Sequence, residues 1–315
     1  MLSGASNLAS GVDKAFVIIF VISALFLVAI TVVMLYFVYR YREKRNPVPT
    51  EIEGNNKLEI LWTVIPTLLA LVMFYYGWKG WIPVRNPPKD AMVITSVARM
   101  WSFTFDYPNG KSSNVLYIPQ GEPVKLNIVA TDILHSVYIP AFRVKQDAIP
   151  GKENFLWFIS DKPGTYDLFC TEYCGLRHSY MNAEVKVLPL PEFEKWYNDT
   201  TDLVAAAEGE GGVKKGLAGA RLLENKGCIA CHSLDGTKLV GPSFKGIYGE
   251  PVVVVSGGKE RTVTIDDAYI KTSIYEPDAD VVKGYKPGQM ISYKSELNEK
   301  QIADIIEYLK TLNGK

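Results

Sequence analysis

Residues 15 to 39 read AFVIIFVISALFLVAITVVMLYFVY, with no charged side chain among them. As a helix rising about 1.5 Å per residue, this run is roughly 37 Å long, enough to cross a hydrocarbon layer of about 30 Å with some tilt. A second run, LWTVIPTLLALVMFYYGW, extends from Leu61 to about Trp78, near the lower spanning limit of about 17 residues. Pro66 is expected in its first turns, where a missing N–H costs least. The alternative is a secretory leader followed by a buried core helix. It fits poorly, because the first run exceeds the roughly 7–15-residue apolar core of a leader and lacks an A-x-A-like exit. The two runs predict a transmembrane hairpin within residues 1–90. The segment between them carries Arg40, Arg42, Lys44, Arg45 and Lys57, whereas the tail before the first run carries Lys14. Basic residues stay on the cytoplasmic side. Both outer ends, and everything after about residue 82, are therefore expected outside the cytoplasm.

The 315 residues hold 34 Lys and Arg against 34 Asp and Glu. A zero net charge leaves no footprint for nucleic acid, and the length predicts two or three domains. Between about 91 and 198 the chain reads as short β-rich segments: 91–97, 124–129, 155–159, 165–169 and 184–187. Pro108-Asn109-Gly110, Pro119-Gln120-Gly121, Pro150-Gly151-Lys152 and Pro163-Gly164 punctuate them as turns. About 100 residues of this kind predict a β-sandwich. A short helix is expected over 191–198. TTDLVAAAEGEGGVKKG, from Thr200 to Gly216, reads as a linker within 199–216, with an end-to-end distance of about 20–25 Å. Residues 217–315 read as a smaller all-α domain. Its last helix has Ile302, Ile305, Ile306, Leu309 and Leu312 at helical spacing, and Asn298 with Gln301 forms a start signal.

The three histidines and four cysteines fall into two motifs. One comprises His135, Cys170, Cys174 and His178, with Met181 close by. Two thiolates, two imidazoles and a thioether suit both oxidation states of copper. A mononuclear blue-copper site needs one cysteine, so two suggest more metal charge. A Cys170–Cys174 disulfide would leave both histidines unexplained, and a Cys2His2 zinc site would leave Met181 without a role. The second motif, Cys228-Ile229-Ala230-Cys231-His232, is the C-x-x-C-H attachment signature of c-type haem. Cys228 and Cys231 are the expected thioether positions and His232 the proximal iron ligand. Met290 is the one methionine after residue 182, which makes it the expected distal ligand.

The segments His135-Ser136-Val137-Tyr138-Ile139-Pro140, Phe142-Arg143-Val144-Lys145-Gln146-Asp147-Ala148-Ile149-Pro150-Gly151 and Cys170-Thr171-Glu172-Tyr173-Cys174-Gly175-Leu176-Arg177-His178-Ser179-Tyr180-Met181 resemble subunit II of cytochrome c oxidase. The resemblance reaches back to Glu59-Ile60-Leu61-Trp62-Thr63-Val64-Ile65-Pro66 and covers roughly residues 15 to 198. It implies a cupredoxin fold over 91–198 with a dinuclear CuA centre. Cys170 and Cys174 would bridge, His135 and His178 would be terminal ligands, and Met181 and the Glu172 carbonyl would complete the set. It also implies a magnesium ion on the Glu172 carboxylate, shared with subunit I. Glu59 matches the residue at the mouth of a proton-uptake path, and Trp101 the tryptophan through which electrons enter. Phe103 stands where a second tryptophan is frequent. Residues 217–315 resemble a class I cytochrome c, including Gly241-Pro242, although Ile291 replaces the usual proline after the distal methionine.

Together these features predict a multidomain chain: a two-helix transmembrane hairpin, a β-sandwich cupredoxin domain and an all-α cytochrome c domain. The resemblance implies subunit II of a haem-copper terminal oxidase in a bacterial plasma membrane. Electrons from an external donor, a cytochrome or a quinol-oxidising complex, would reach haem c, then CuA, then subunit I, where oxygen reduction is coupled to proton pumping. Subunit III and the lipid bilayer are further expected partners. A free-standing membrane-anchored shuttle would need neither Glu59 nor the Glu172 carboxylate, and a quinol-oxidase subunit would lack the copper set.

Overall fold

The computed structural model describes residues 4–48, 51, 53–199 and 217–314. Apart from Asp199, the expected linker lies outside the described residues. Two long helices come first, α1 (Ala9–Arg40) and α2 (Asn56–Arg85). Their apolar side chains face outward, and no residue of α2 is buried. Such a surface is stable against lipid, because a helix satisfies its own backbone hydrogen bonds.

α2 begins five residues before the apolar run. The Asn55 side chain accepts from Lys57 N and Leu58 N at 3.1 and 3.2 Å and caps the first turn. That extension corrects the expected place of Pro66, which lies in the helix interior, with no N–H for the Trp62 carbonyl. The Thr63 and Thr67 hydroxyls donate to the carbonyls one turn back, those of Glu59 and Thr63, at 2.8 and 2.7 Å. Glu59 sits in the first turn of α2. At about 1.5 Å per residue it is roughly 40 Å from Arg85 at the other end.

The outer ends of both helices are tied to the next domain. Ala5 N donates to Ala141 O at 2.8 Å, Asn7 N to Ile159 O at 2.9 Å, and Ser160 Oγ to Ala5 O at 2.7 Å. Arg143 holds Asp13 at 2.8 Å, and Trp157 Nε1 donates to Pro83 O at 2.9 Å. The start of α1 and the end of α2 therefore lie on the same side, against the β domain.

That domain is a sandwich of ten strands: β1 (Met92–Arg99), β2 (Ser102–Asp106), β3 (Ser112–Ser113), β4 (Leu116–Pro119), β5 (Pro123–Ala130), β6 (His135–Ile139), β7 (Val144–Ala148), β8 (Asn154–Ile159), β9 (Gly164–Phe169) and β10 (Asn182–Leu188). One sheet has the order β3-β2-β1-β5-β8 and the other β4-β10-β9-β6-β7. Alternate residues point inward, as in β5, where Val124, Leu126 and Ile128 are buried between more accessible neighbours. Ile94, Leu116, Ile139, Phe142, Phe158 and Leu168 join them in one continuous core. A helix, α3 (Leu190–Asn198), follows, and its Trp196 stacks on Tyr117 at 4.2 Å.

The C-terminal domain is framed by α4 (Leu217–Asn225), α5 (Asp267–Tyr275) and α6 (Glu299–Thr311). Asn298 and Gln301 form the expected reciprocal cap, at 2.9 and 3.0 Å. α6 buries Ile302, Ile305, Ile306 and Leu309. The helical frame also carries a sheet that a purely all-α reading omits: β11 (Pro251–Ser256), β12 (Lys259–Thr264) and β13 (Val281–Val282), ordered β12-β11-β13. Gly257 and Gly258, both at positive φ (54° and 80°), form its two-residue hairpin turn.

The two outer domains touch. Arg99 Nη1 is 2.9 Å from Glu296 Oε2, and Thr104 Oγ1 donates to Asn225 O at 2.6 Å. Asn225 Nδ2 donates to Ser112 O at 3.3 Å. Gly227, at φ 72°, lies so close to Ser102 that a Cβ there would overlap its side chain.

Candidate metal centres

The first centre forms where the β9–β10 loop meets the start of β6. Cys170 N donates to Met181 O at 3.1 Å, which closes the loop. The buried Ser136 hydroxyl lashes it to β6, taking Thr171 N at 2.7 Å and meeting Thr171 Oγ1 at 2.8 Å. The soft donors converge as a result. Cys170 Sγ is 3.7 Å from Cys174 Sγ, 3.9 Å from His135 Nδ1 and 3.2 Å from the Glu172 carbonyl. Cys174 Sγ is 3.4 Å from His178 Nδ1 and 3.8 Å from Met181 Sδ. The donor atoms of His135, Cys170 and Cys174 lie within 4.8 Å of one another. Both cysteines are free and buried, so the disulfide alternative falls away. A thioether at the point where thiolates and imidazoles meet suits copper and is redundant for zinc.

Asp132, which the sequence reading passed over, orients this set. Its Oδ1 is 2.7 Å from His135 Nε2, and its carboxylate also accepts Met100 N at 2.6 Å and Ile133 N at 2.7 Å. A carboxylate can only accept here, so Nε2 carries the proton and Nδ1 is left for a metal. Burial alone would lower the His135 pKa. The Asp132 carboxylate and the Cys170 sulfur instead hold it up at about 9. Burial likewise works against a Cys170 thiolate, yet His135 and backbone partners bring its pKa down to about 7. Burial and the adjacent Cys170 charge push Cys174 up to about 12. Two neighbouring thiolates therefore call for cationic charge between them.

Trp101 is 4 % exposed, and its Nε1 donates to the Cys174 carbonyl at 2.8 Å. The Glu172 carbonyl faces the cysteines, while its carboxylate meets Lys145 Nζ at 2.6 Å, and Asp147 holds the same ammonium at 2.7 Å. Glu59 stands at the far end of α2, away from every soft donor.

The second centre is an apolar cavity of ≈ 260 Å³ in the C-terminal domain. Cys228, Cys231, His232 and Met290 all line it, among Leu223, Ile247, Ile265 and Leu309. His232 Nδ1 is 2.8 Å from the Pro242 carbonyl, which can only accept, so Nε2 keeps its lone pair. Burial lowers the His232 pKa and keeps the imidazole neutral, the form that binds iron. The ring stacks on Phe244 at 4.4 Å. Gly241 sits against it, and a Cβ there would lie 2.7 Å from Nδ1. Two thiols, an oriented imidazole and a thioether around one apolar space fit a haem with axial histidine and methionine. Met100, from the β1–β2 corner of the copper domain, also lines this cavity, a contact with no local signature in the chain.

A membrane hairpin, a cupredoxin sandwich with a soft-ligand loop and a helical domain with a C-x-x-C-H wall define a membrane-anchored electron-transfer protein with a copper domain and a cytochrome c domain. The chain matches the family descriptions "Cytochrome C oxidase subunit II, transmembrane domain" over residues 1–78, "Cytochrome C oxidase subunit II, periplasmic domain" over 110–188 and "Cytochrome c" over 217–313. It is 28% identical to cytochrome c oxidase subunit 2 of Alkalihalophilus pseudofirmus over 299 residues, 91% of this chain and 83% of that one. Identity is also 28% to cytochrome c oxidase subunit 2 of Bacillus subtilis over 308 residues, 90% and 83% of the two chains. Among solved structures, the periplasmic domain of subunit II of the Bradyrhizobium japonicum cytochrome oxidase matches at 29% identity and TM-score 0.34, covering 35% of this chain and 94% of that one. The chain belongs to the cytochrome c oxidase subunit II family, with a cytochrome c domain at its C-terminal end. It is thus a subunit of a haem-copper oxidase and, by that identity, has subunit I as its partner.

Proposed function

We propose that this chain carries electrons into the oxidase in two intramolecular stages, from a covalently bound haem c to a dinuclear copper centre and on to subunit I. The observation that carries this reading is the convergence of Cys170, Cys174, His135, His178 and Met181 on one buried point, within a chain whose other two cysteines share a cavity with His232 and Met290. When bound, haem c and copper supply one-electron carriers that cycle without bond making or breaking in the substrate. The chain's own residues hold and tune these carriers. Cys228 and Cys231 would hold the haem through thioethers, and His232 and Met290 would ligate its iron. Cys170, Cys174, His135, His178, Met181 and the Glu172 carbonyl would hold the two coppers. Asp132 fixes the His135 tautomer, and burial around the thiolates excludes water. Trp101 links the copper loop to the surface on which electrons arrive, which its hydrogen bond to the Cys174 carbonyl supports.

The basic loop between α1 and α2 is cytoplasmic and the metal domains are outside the plasma membrane of a bacterium. This agrees with both outer helix ends being bonded to the sandwich. Glu59, at the opposite end of α2, serves proton uptake on the cytoplasmic side, where proton pumping takes its protons. The Glu172 carboxylate, which pairs with Lys145, would supply a hard oxygen ligand for a magnesium ion shared with subunit I. A cytochrome or a quinol-oxidising complex is the donor, and subunit III completes the assembly. The test is Cys170→Ser in the assembled oxidase. A hydroxyl cannot replace a bridging thiolate, so the mixed-valence copper resonance should vanish while the haem c spectrum stays. Unchanged copper content and resonance would contradict the reading.

A further inference from the structure

The corner between β1 and β2 presents three consecutive residues to three different neighbours. Trp101 donates to the Cys174 carbonyl of the copper-ligand loop at 2.8 Å. Met100 lines the cavity that holds Cys228, His232 and Met290. Arg99, 3% exposed in its side chain, places Nη1 2.9 Å from Glu296 of the cytochrome domain, and its guanidinium lies 5.7 Å from the centroid of the buried Tyr293 ring. Around this corner the two domains fit closely. Thr104 donates to Asn225 O, Gly227 rests on Ser102 without room for a Cβ, and Cys231 and Val240 pack against the copper-domain core.

We propose that Arg99 is the positioning residue that seats the cytochrome domain on the copper domain, clamping Glu296 beside Tyr293 so that the Arg99-Met100-Trp101 corner joins the haem cavity to the copper-ligand loop. This deepens the electron route proposed above, on which its functional meaning rests; the docking itself stands on the contacts just described. The physics favours one clamp over a diffuse surface. A buried guanidinium needs its carboxylate, and removing Glu296 leaves the Arg99 charge stranded in the interface, whereas removing Arg99 leaves Glu296 to Lys226 alone. The clamp is also graded. Lys226 Nζ shares Glu296 at 3.3 Å, and among the described residues Arg99 Nε has no acceptor. Burying that unpaired N–H offsets part of the gain, which leaves the seat reversible. Seating also covers the Trp101 side of the copper domain, so an external donor reaches copper through the cytochrome domain.

The experiment is hydrogen–deuterium exchange on the full chain in detergent, with copper and covalent haem quantified in the same samples. The variants are Arg99→Met, Glu296→Gln and the double substitution. Each single change should raise amide exchange in peptides covering 100–106 and 225–231 about tenfold by letting the interface open, with exchange in β8 and in α6 unchanged. The double variant should exchange no faster than the faster single, because both remove the same pair. Unchanged exchange in the singles, or effects that simply multiply in the double, would overturn the proposal. Should Arg99→Met lose copper through misfolding, Glu296→Gln on the other domain decides by the same measure. Wild-type chain without copper or without covalent haem would defeat the electron-route reading and leave the docking result standing.

Discussion

Replacing Gly241 by alanine probes the haem site through one methyl group. The φ of Gly241 lies outside the left-handed region, so alanine strains no backbone, and reduced freedom of the unfolded chain would by itself stabilise by about 0.4–1 kcal/mol. Space decides otherwise. The new Cβ would meet Cε1 of His232 most closely and would lie 2.7 Å from Nδ1 and 2.8 Å from Nε2, against 3.4–4 Å for ordinary contact. The ring must retreat on the order of 1 Å, but Phe244 stacks on it at 4.4 Å and the Pro242 carbonyl holds Nδ1 at 2.8 Å. Overpacking of this kind costs about 1–3 kcal/mol, and a weakened hydrogen bond adds about 0.5–1.5 kcal/mol. The net expectation is a loss of about 1–3 kcal/mol, or a fall of roughly 5–20 °C in the unfolding midpoint for a domain of this size. The assay is thermal unfolding of the full chain followed at the haem absorption. Electron paramagnetic resonance of the ferric haem should show altered g-values, because the imidazole plane turns. A midpoint that stays or rises, with unchanged g-values, would refute the close approach and the ring orientation built on it.

Met290→Ala should keep haem covalently attached while the thioether-to-iron band near the infrared disappears and the potential falls; a redox titration with near-infrared spectra reads both, and a retained band would exclude Met290 as ligand. Glu59→Gln should slow turnover and proton uptake while leaving haem c to copper transfer unaltered, since about 40 Å of α2 separates the carboxylate from the copper domain; single-turnover kinetics would show it, and undiminished proton uptake would remove the role. In the copper-free chain, His135 has its folded pKa raised to about 9. The charged His135–Asp132 pair is then fully present below the unfolded histidine value of about 6.5 and is lost as pH rises through about 9. Stability of the copper domain should decline across that window, and Asp132→Asn should flatten the decline in denaturant titrations. A wild-type profile as flat as the variant's would show that the pair contributes nothing.

Much of this protein is written locally. The charge-free run at 15–39 can only be satisfied in lipid or a deep core, so its helix was legible from composition. The Asn298–Gln301 cap and the apolar spacing of α6 sit within one stretch of chain, as do Cys170, Cys174, His178 and Met181 and the C-x-x-C-H wall. These features depend on residues a few positions apart, where backbone geometry leaves little choice. Strands β1, β5, β8, β9 and β10 were visible in their β-rich runs, whereas β2, β3, β4, β6 and β7 were not. β6 and β7 mix polar residues such as Ser136, Lys145 and Asp147 into the strand, because those side chains have loop partners that only the fold brings near. The sheet β12-β11-β13 does have a local mark, four consecutive valines at 252–255 before the Gly257-Gly258 turn, which the helical signals on either side of it outweighed. The start of α2 was misplaced because hydropathy marks where lipid begins, while the Asn55 cap marks where the helix does.

The sequence by itself determined which residues are soft donors, which segments are long and apolar enough to cross a membrane and where a β-rich stretch gives way to a helical one. Only the tertiary structure decided that Asp132 orients His135, that Lys145 holds the Glu172 carboxylate, that Gly241 is pressed against the haem-side imidazole, and that Arg99 meets Glu296 across a domain boundary. Ligand type is a property of a single side chain and survives in a string of letters. A partner in space, whether 3 positions away as for Asp132 and His135 or 197 as for Arg99 and Glu296, is fixed by packing, which depends on every strand and helix that shapes the site.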